Sequence, residues 1–228
     1  MTATPRPTLA EDLLLLLFQP GSGLRKGTGV IAGEGILYYV LAGAVVAELA
    51  LGGHVAFDGR KVTAVEGTRP DDDLLRTAWD YVESKPRGVQ TVLAAIGPKL
   101  REPVLARVIE RGDIRLGRYK ALGLIETTAL EDGGTGRRAG LLAEVRAVLV
   151  DGVPPTERVA ALAALVSGSG TLPQFHPGIP WETPVITRAK ELERGNWGAG
   201  AAAEAVARTV TATIVNNVIV AAAVLPKS

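Results

Sequence analysis

Ile36–Leu51, ILYYVLAGAVVAELAL, is apolar on every side and carries one charge, Glu48. A helix on a protein surface shows an apolar stripe opposite a polar face. This stretch has no polar face, so it reads as a helix buried in the middle of a domain. Gly52-Gly53 ends it, as a left-handed glycine after a helix terminus does. It falls short of the about 20 apolar residues that a membrane span needs. The rest of the chain is expected to wrap around it.

Upstream, Thr8-Leu9-Ala10-Glu11 forms a capping box. The Thr hydroxyl can accept from the Glu11 amide while the Glu side chain reaches back. A short buried helix follows through Leu13–Leu17, and Gln19-Pro20-Gly21 ends it. Residues 21–35, GSGLRKGTGVIAGEG, hold six glycines, but neither the GxGxxG spacing nor a GK[ST] triplet. They read as a flexible surface loop or loose hairpin.

Downstream, residues 54–65, HVAFDGRKVTAV, place Asp58-Gly59 between two alternating runs, the signal of a type I′ hairpin. Arg69-Pro70-Asp71-Asp72-Asp73 then caps a helix. Adjacent aspartates diverge, so these suit a helix dipole better than a metal. Leu74, Leu75, Ala78, Trp79 and Val82 recur at helical spacing as its core face, and Lys85-Pro86 ends it. Residues 88–97 form another short helix. Residues 98–111 form the next, with Leu105, Val108 and Ile109 inward, Arg101, Arg107 and Arg111 outward, and Gly112 as its stop. DIRLGRYKALGLIETTAL (113–130) is a second hairpin with Gly117 at the turn. Helices are expected over Arg138–Val150, Thr156–Val166, Thr183–Arg194 and Ala199–Leu225, with a Pro- and Gly-rich connection over Ser167–Pro184. The last helix is apolar from Thr209 except for threonines and Asn216-Asn217, which favours burial. The sum is one mainly α globular domain over residues 1–228 with two or more short β-hairpins, residues 1–7 forming a flexible tail.

Composition narrows the function. The 228 residues are 47% hydrophobic and 21% charged, a globular balance. There is no cysteine, which excludes disulfides and thiolate metal sites and fits a reducing compartment. His54 and His176 are the only histidines, too few for a His-based metal site and poorly placed for a Ser-His-Asp triad. The N-terminus lacks the order of a signal peptide. Arginine outnumbers lysine, and alanine and glycine are abundant, which hints at a bacterial gene of high GC content. No convergent acid, base and nucleophile stand out, so neither an enzyme nor a cofactor is expected. Net charge is +1, so attraction to an anionic surface must come from a local patch.

Four segments occur in order: TLAEDLLLLL, LAGAVVAELALGGHV, RVIERGDI with its hairpin, and the Ala-rich last helix. Together they resemble the Golgi phosphoprotein 3 family over nearly the whole chain. The resemblance implies a helical single domain and a peripheral membrane protein without catalytic activity. It implies binding of phosphatidylinositol 4-phosphate and of client proteins through their cytoplasmic tails. The family's headgroup pocket uses an aromatic residue, whose position falls near Gly33, and an arginine, whose position falls on Ala42. Of a later basic pair, one position falls on Arg101 and the other on Pro98, with Lys99 beside it. The pocket is therefore half built in this chain.

Lys99, Arg101 and Arg107 are the candidate headgroup contacts. Arg118, Tyr119, Leu122 and Leu124, with Arg115 and Lys120 nearby, make an apolar hairpin tip flanked by cations. Such a tip suits a membrane interface or a homo-oligomer contact. The expected location is cytoplasmic and peripherally membrane-associated. The alternative is a winged-helix-like nucleic-acid-binding or protein-interaction module, since helix, glycine stop and hairpin follow one another. Only Arg107 and Arg111, with Glu110 between them, decorate Val104–Arg111, so nucleic acid is the weaker partner.

Overall fold

The computed structural model describes residues 6–24, 26–121, 125–195 and 208–218. In chain order they form α1 (Leu9–Leu17), β1 (Phe18–Gln19), β2 (Thr28–Ile31), α2 (Leu37–Leu51), β3 (Val55–Phe57), β4 (Lys61–Ala64), α3 (Asp73–Glu83), β5 (Arg87–Gly88), α4 (Val89–Ile96), α5 (Arg101–Glu110), β6 (Ile114–Ala121), β7 (Ile125–Asp132), α6 (Arg137–Leu149), α7 (Glu157–Gly168) and α8 (Thr183–Glu193). Residues 208–218 form a further helix, α9. The fold is mainly α, as expected.

α2 is the axis. A 3₁₀ turn at Glu34–Ile36 leads into it, and Val40–Ala47 is buried without a break. α1, α3, α4 and α7 pack around it. Its alanines and leucines favour the helix intrinsically, and burial offsets the cost of its three valines and Gly43; each buried Val or Leu contributes about 1.5–3 kcal/mol. Gly43 sits at its middle, where a Cβ would lie 2.7 Å from Ile214 and 2.9 Å from Val210. The missing side chain lets α9 close on α2. Gly53 takes the left-handed conformation after the helix end, with φ 69°.

α1 is buried over its whole length, including Glu11 and Asp12. The capping box forms as expected: the Glu11 amide donates to Thr8 Oγ1 at 3.2 Å, and the Thr8 amide donates to Glu11 at 2.8 Å. Asp72 caps α3, accepting from the Leu74 amide at 2.9 Å. Leu74, Leu75, Ala78, Trp79 and Val82 are buried, and the Trp79 indole donates to the His54 carbonyl at 3.0 Å.

Two antiparallel sheets flank the helices, in strand orders β1-β2-β7-β6 and β3-β4-β5. The 54–65 hairpin forms as β3-β4, with the Asp58 carboxylate accepting from the Arg60 and Lys61 amides. Residues 21–35 are more ordered than their glycines suggest. Gly29 on β2 pairs with Leu130, and the Phe18 ring covers the space a Cβ would fill there. Here glycine serves close packing within a strand, so only the hairpin half of the expectation holds. Gly117 is not a turn residue either. It lies within β6 opposite Ala129, and a Cβ there would strike Glu131 and the Tyr119 hydroxyl. The register closes Ala121 on Ile125. Leu122 and Leu124 lie outside the described residues, as do the ends of the expected 199–225 helix.

Candidate functional site

Two regions concentrate polar chemistry: the end of the molecule that carries the β6-β7 hairpin, and the N-terminus of α1.

The hairpin is long and thinly supported. β2 pairs with β7 only at Thr28–Glu131 and Gly29–Leu130, near the hairpin's base. From Gly117 and Ala129 outward, among the described residues, no third strand pairs with either one. Alternation puts Leu116 and Arg118 on one face and Arg115 and Tyr119 on the other. Leu116 is 53% exposed, although Ile114, two residues earlier on the same face, is fully buried. Arg115 and Arg118 are both exposed, and Tyr119 is half-buried and donates to Glu131.

A second feature lies at the start of α2. β2 runs antiparallel to β7 and so heads toward the hairpin tip before feeding the turn at Glu34–Ile36 and the start of α2. Gly97 touches the start of α2: a Cβ there would lie 2.6 Å from the Tyr38 carbonyl oxygen. That approach sets Pro98 and Arg101 beside Glu34, Leu37 and Tyr38, and the five line an open cleft of about 350 Å³. Tyr38 is 38% exposed there. Arg101 Nε donates to Glu34, and its Nη1 donates to Glu102 at 2.6 Å. The Glu34 hydrogen bond raises the Arg101 pKa above its usual value. Lys99 is exposed in the 3₁₀ turn Gly97–Lys99 just before it.

The other positions implied by the resemblance add no charge here. Ala42 is fully buried in α2. Gly33 is left-handed, with φ 68°, and a Cβ there would meet Thr171 Cγ2 at 2.8 Å. An aromatic residue at 33 would strain the backbone and displace Thr171. Sequence reasoning identified Lys99 and Arg101 but missed Glu34, Tyr38 and Leu116. Glu34 carried a signal: it is the lone acid in the glycine-rich stretch ahead of the central helix.

Arg107 and Arg111 do not point outward as expected. Arg107 Nη1 donates to Asp72 at 2.5 Å and lies 3.7 Å from Glu11, while Arg111 Nε donates to Glu11 at 2.6 Å. The buried Glu11, with Asp72 beside it, draws these arginines in, because an unpaired buried carboxylate is costly. Arg107 and Arg111 are therefore held by carboxylates, and α5 offers no free cationic face to nucleic acid.

The same hub continues on the other side of α1. Arg137 bridges Asp12 and Asp113, and Arg158 joins Asp12 to Glu48. Glu48, the one charge of the central helix, also accepts from the Leu9 amide at the N-terminus of α1. Pro7, Asp72, Arg107, Glu110, Arg111, Asp113 and Arg137 line a cleft of about 690 Å³ above this network. Its arginines are matched by carboxylates, so it fastens α1 to α2, α3, α5, α6 and α7. Among the described residues, no group of three or more acidic or His side chains is placed to hold a metal ion.

These features define a class: a helical domain built around a buried hydrophobic helix, with a partly exposed β-hairpin projecting from one end. The chain belongs to the Golgi phosphoprotein 3 (GPP34) family, whose model matches residues 9–209. No curated protein matches it in sequence.

Proposed function

We propose that the protein is a non-catalytic, cytoplasmic adaptor that attaches peripherally to anionic membrane surfaces through the β6-β7 hairpin. The observation that carries this reading is Leu116: an exposed leucine on the same face as the exposed Arg118, with the exposed Arg115 next to it in the chain, at the base of a hairpin that extends past its third strand. An apolar side chain flanked by arginines fits the boundary between headgroups and acyl chains. Each cation near an anionic surface contributes about 1 kcal/mol, so attachment is reversible. Lys99, exposed in the turn before α5, is a further cation for such a surface. The Arg101–Glu34 pair disfavours phosphatidylinositol 4-phosphate as the specific ligand, because Glu34 and Glu102 already neutralise the arginine that would grip it. Client proteins and self-association through the hairpin belong to the same adaptor reading.

Co-sedimentation with vesicles tests the proposal. Binding to phosphatidylserine-containing vesicles at low salt, and its absence with pure phosphatidylcholine, is the expected result. Equal recovery with both vesicle types, or none with either, overturns it.

A further inference from the structure

The loop between β1 and β2 (residues 20–27) carries charge and apolar surface that the hairpin does not use. From Phe18 to Gly33 the chain has two cations, Arg25 and Lys26, and no acid. Leu24 is fully exposed, Lys26 is exposed, and among the described residues Lys26 has no ion pair. The loop folds back on the sheet: the Gly23 amide donates to the Thr28 carbonyl at 2.9 Å, and a Cβ on Gly23 would strike Thr28 Oγ1. Gly23 thus lies against the Thr28 side chain, which sets Leu24 beside the face of the sheet to which Thr28 belongs. Thr28 pairs with Glu131, which pairs with Arg115, and alternation adds Val30, 48% exposed. Glu131 is engaged there by Tyr119 and Arg115. Leu24, Val30, Lys26 and Arg115 therefore bring two apolar side chains and two cations to one side of the sheet. Leu116 and Arg118 stand on the other side, on a strand about 10 Å across from β2.

We propose that this loop is a second contact for an anionic bilayer, and that with the hairpin it lets one molecule hold two bilayers together. The proposal rests on the reading that the hairpin attaches to such surfaces. Charge complementarity selects the occupant: a run of sixteen residues with two cations and no acid is drawn to a polyanionic surface. The leucine selects the depth. Fully exposed, it gains nothing where it stands, and beside cations it has the composition of a contact at the boundary between headgroups and acyl chains. The opposed faces decide the consequence. A flat bilayer lying on the Leu24 side leaves Leu116 pointing away from it, so the two contacts serve two surfaces. Each contact is small, so bridging is reversible and weakens as salt is raised.

The test separates bridging from attachment. Because the chain has no cysteine, Leu24→Cys is a unique attachment point for an environment-sensitive fluorophore. Its emission should rise and shift to the blue on phosphatidylserine-containing vesicles and stay unchanged on pure phosphatidylcholine; no change on either overturns the proposal. Bridging is read by energy transfer between two vesicle populations that carry donor or acceptor lipids. The wild type should bring the two populations together. Leu24→Ser combined with Lys26→Glu should lower transfer about tenfold while co-sedimentation with a single population falls only about twofold, the hairpin being intact. Thermal melts should match the wild type, since both side chains are exposed. Equal transfer by the variant means that copies bound to each other span the gap, and overturns the loop as a second contact. A parallel fall in co-sedimentation and transfer overturns the proposal too, because both contacts then serve one bilayer. If Leu116→Ser leaves co-sedimentation intact and the loop variant abolishes it, the hairpin reading fails and the loop is the single contact, which ends the two-bilayer proposal on different grounds.

Discussion

Arg158 Nη1 meets the Glu48 carboxylate at 2.9 Å, tying the only charge of the central helix to α7. The other Glu48 oxygen accepts from the Leu9 amide, which α1 itself cannot satisfy. One acid in an otherwise apolar helix thus answers two needs. It supplies an acceptor at a buried helix N-terminus and a counter-charge for a half-buried arginine. Arg158 also donates to Asp12 at 2.6 Å and to the Pro7 carbonyl at 2.7 Å. Burial alone would lower its pKa, but Glu48 and Asp12 outweigh that and raise it.

Removing either partner should therefore be expensive. Arg158→Met leaves Asp12 and Glu48 without their shared cation and should destabilise by about 3–5 kcal/mol. Glu48→Ala leaves the Leu9 amide unsatisfied and should cost about 2–4 kcal/mol. The double variant should lose less than the sum of the singles, since both remove the same contact. Urea unfolding of the four proteins measures this, and strict additivity would show that the pair is not coupled.

Glu11 sets an acid limit. Its burial works to raise the pKa, but the Thr8 amide, the Arg111 side chain and the Thr8 hydroxyl together lower it below the usual glutamate value. A carboxyl whose folded pKa is depressed binds its proton less readily in the folded state than in the unfolded one. Its contribution is present above pH 4.5 and disappears as the pH falls through the folded value. Stability of the wild type should therefore decline below about pH 4.5 more steeply than that of Glu11→Gln, which starts lower but lacks this titration. Thermal melts from pH 7 to pH 3 record the difference; parallel curves would remove Glu11 from the account.

The elements governed by local rules were legible in the sequence. The capping box at Thr8, the Asp72 cap and the apolar Ile36–Leu51 run each announce themselves within a few residues, and each folds as read. What escaped depends on partners far along the chain. Arg107 and Arg111 sit on the polar side of α5 by spacing, yet Glu11 lies about a hundred positions earlier and turns them inward. Gly29 and Gly117 look like loop glycines, but each leaves room for a specific neighbour within a strand. The Glu34–Arg101 pair spans 67 positions, so no local pattern could pair them.

Gly43 offers a direct test of how α9 is held. A Cβ at that position would crowd Ile214, Val210 and, at 3.2 Å, Leu165. Replacing glycine in a helix interior with alanine ordinarily gains about 1 kcal/mol. Here overpacking should cancel that gain, and Gly43→Leu should cost about 1–3 kcal/mol, because the larger side chain has no open direction toward α9. Limited proteolysis of Gly43→Leu should cut the C-terminal region sooner than in the wild type. Unchanged cleavage together with a raised melting temperature would mean that α9 does not depend on this close approach.

The hairpin prediction turns on the difference between charge and packing. Arg115 and Arg118 are exposed, and Arg115 makes only a loose pair with Glu131 at 4.0 Å, so neither contributes much to the fold. Arg115→Glu with Arg118→Glu should leave the melting temperature within about 2 °C of the wild type. At an anionic surface the same change replaces two attractions with two repulsions, a swing of about 4 kcal/mol at low salt. Recovery on phosphatidylserine vesicles should then fall to the level seen with neutral vesicles. Wild-type binding should also weaken as salt is raised, since at physiological ionic strength exposed charges are screened beyond about 8 Å. Leu116→Ser tests the apolar share: it should lower recovery at every salt concentration while leaving the slope against salt unchanged, because the lost contact carries no charge. If the charge reversal leaves vesicle binding intact while Leu116→Ser abolishes it, attachment is apolar and the arginines are bystanders.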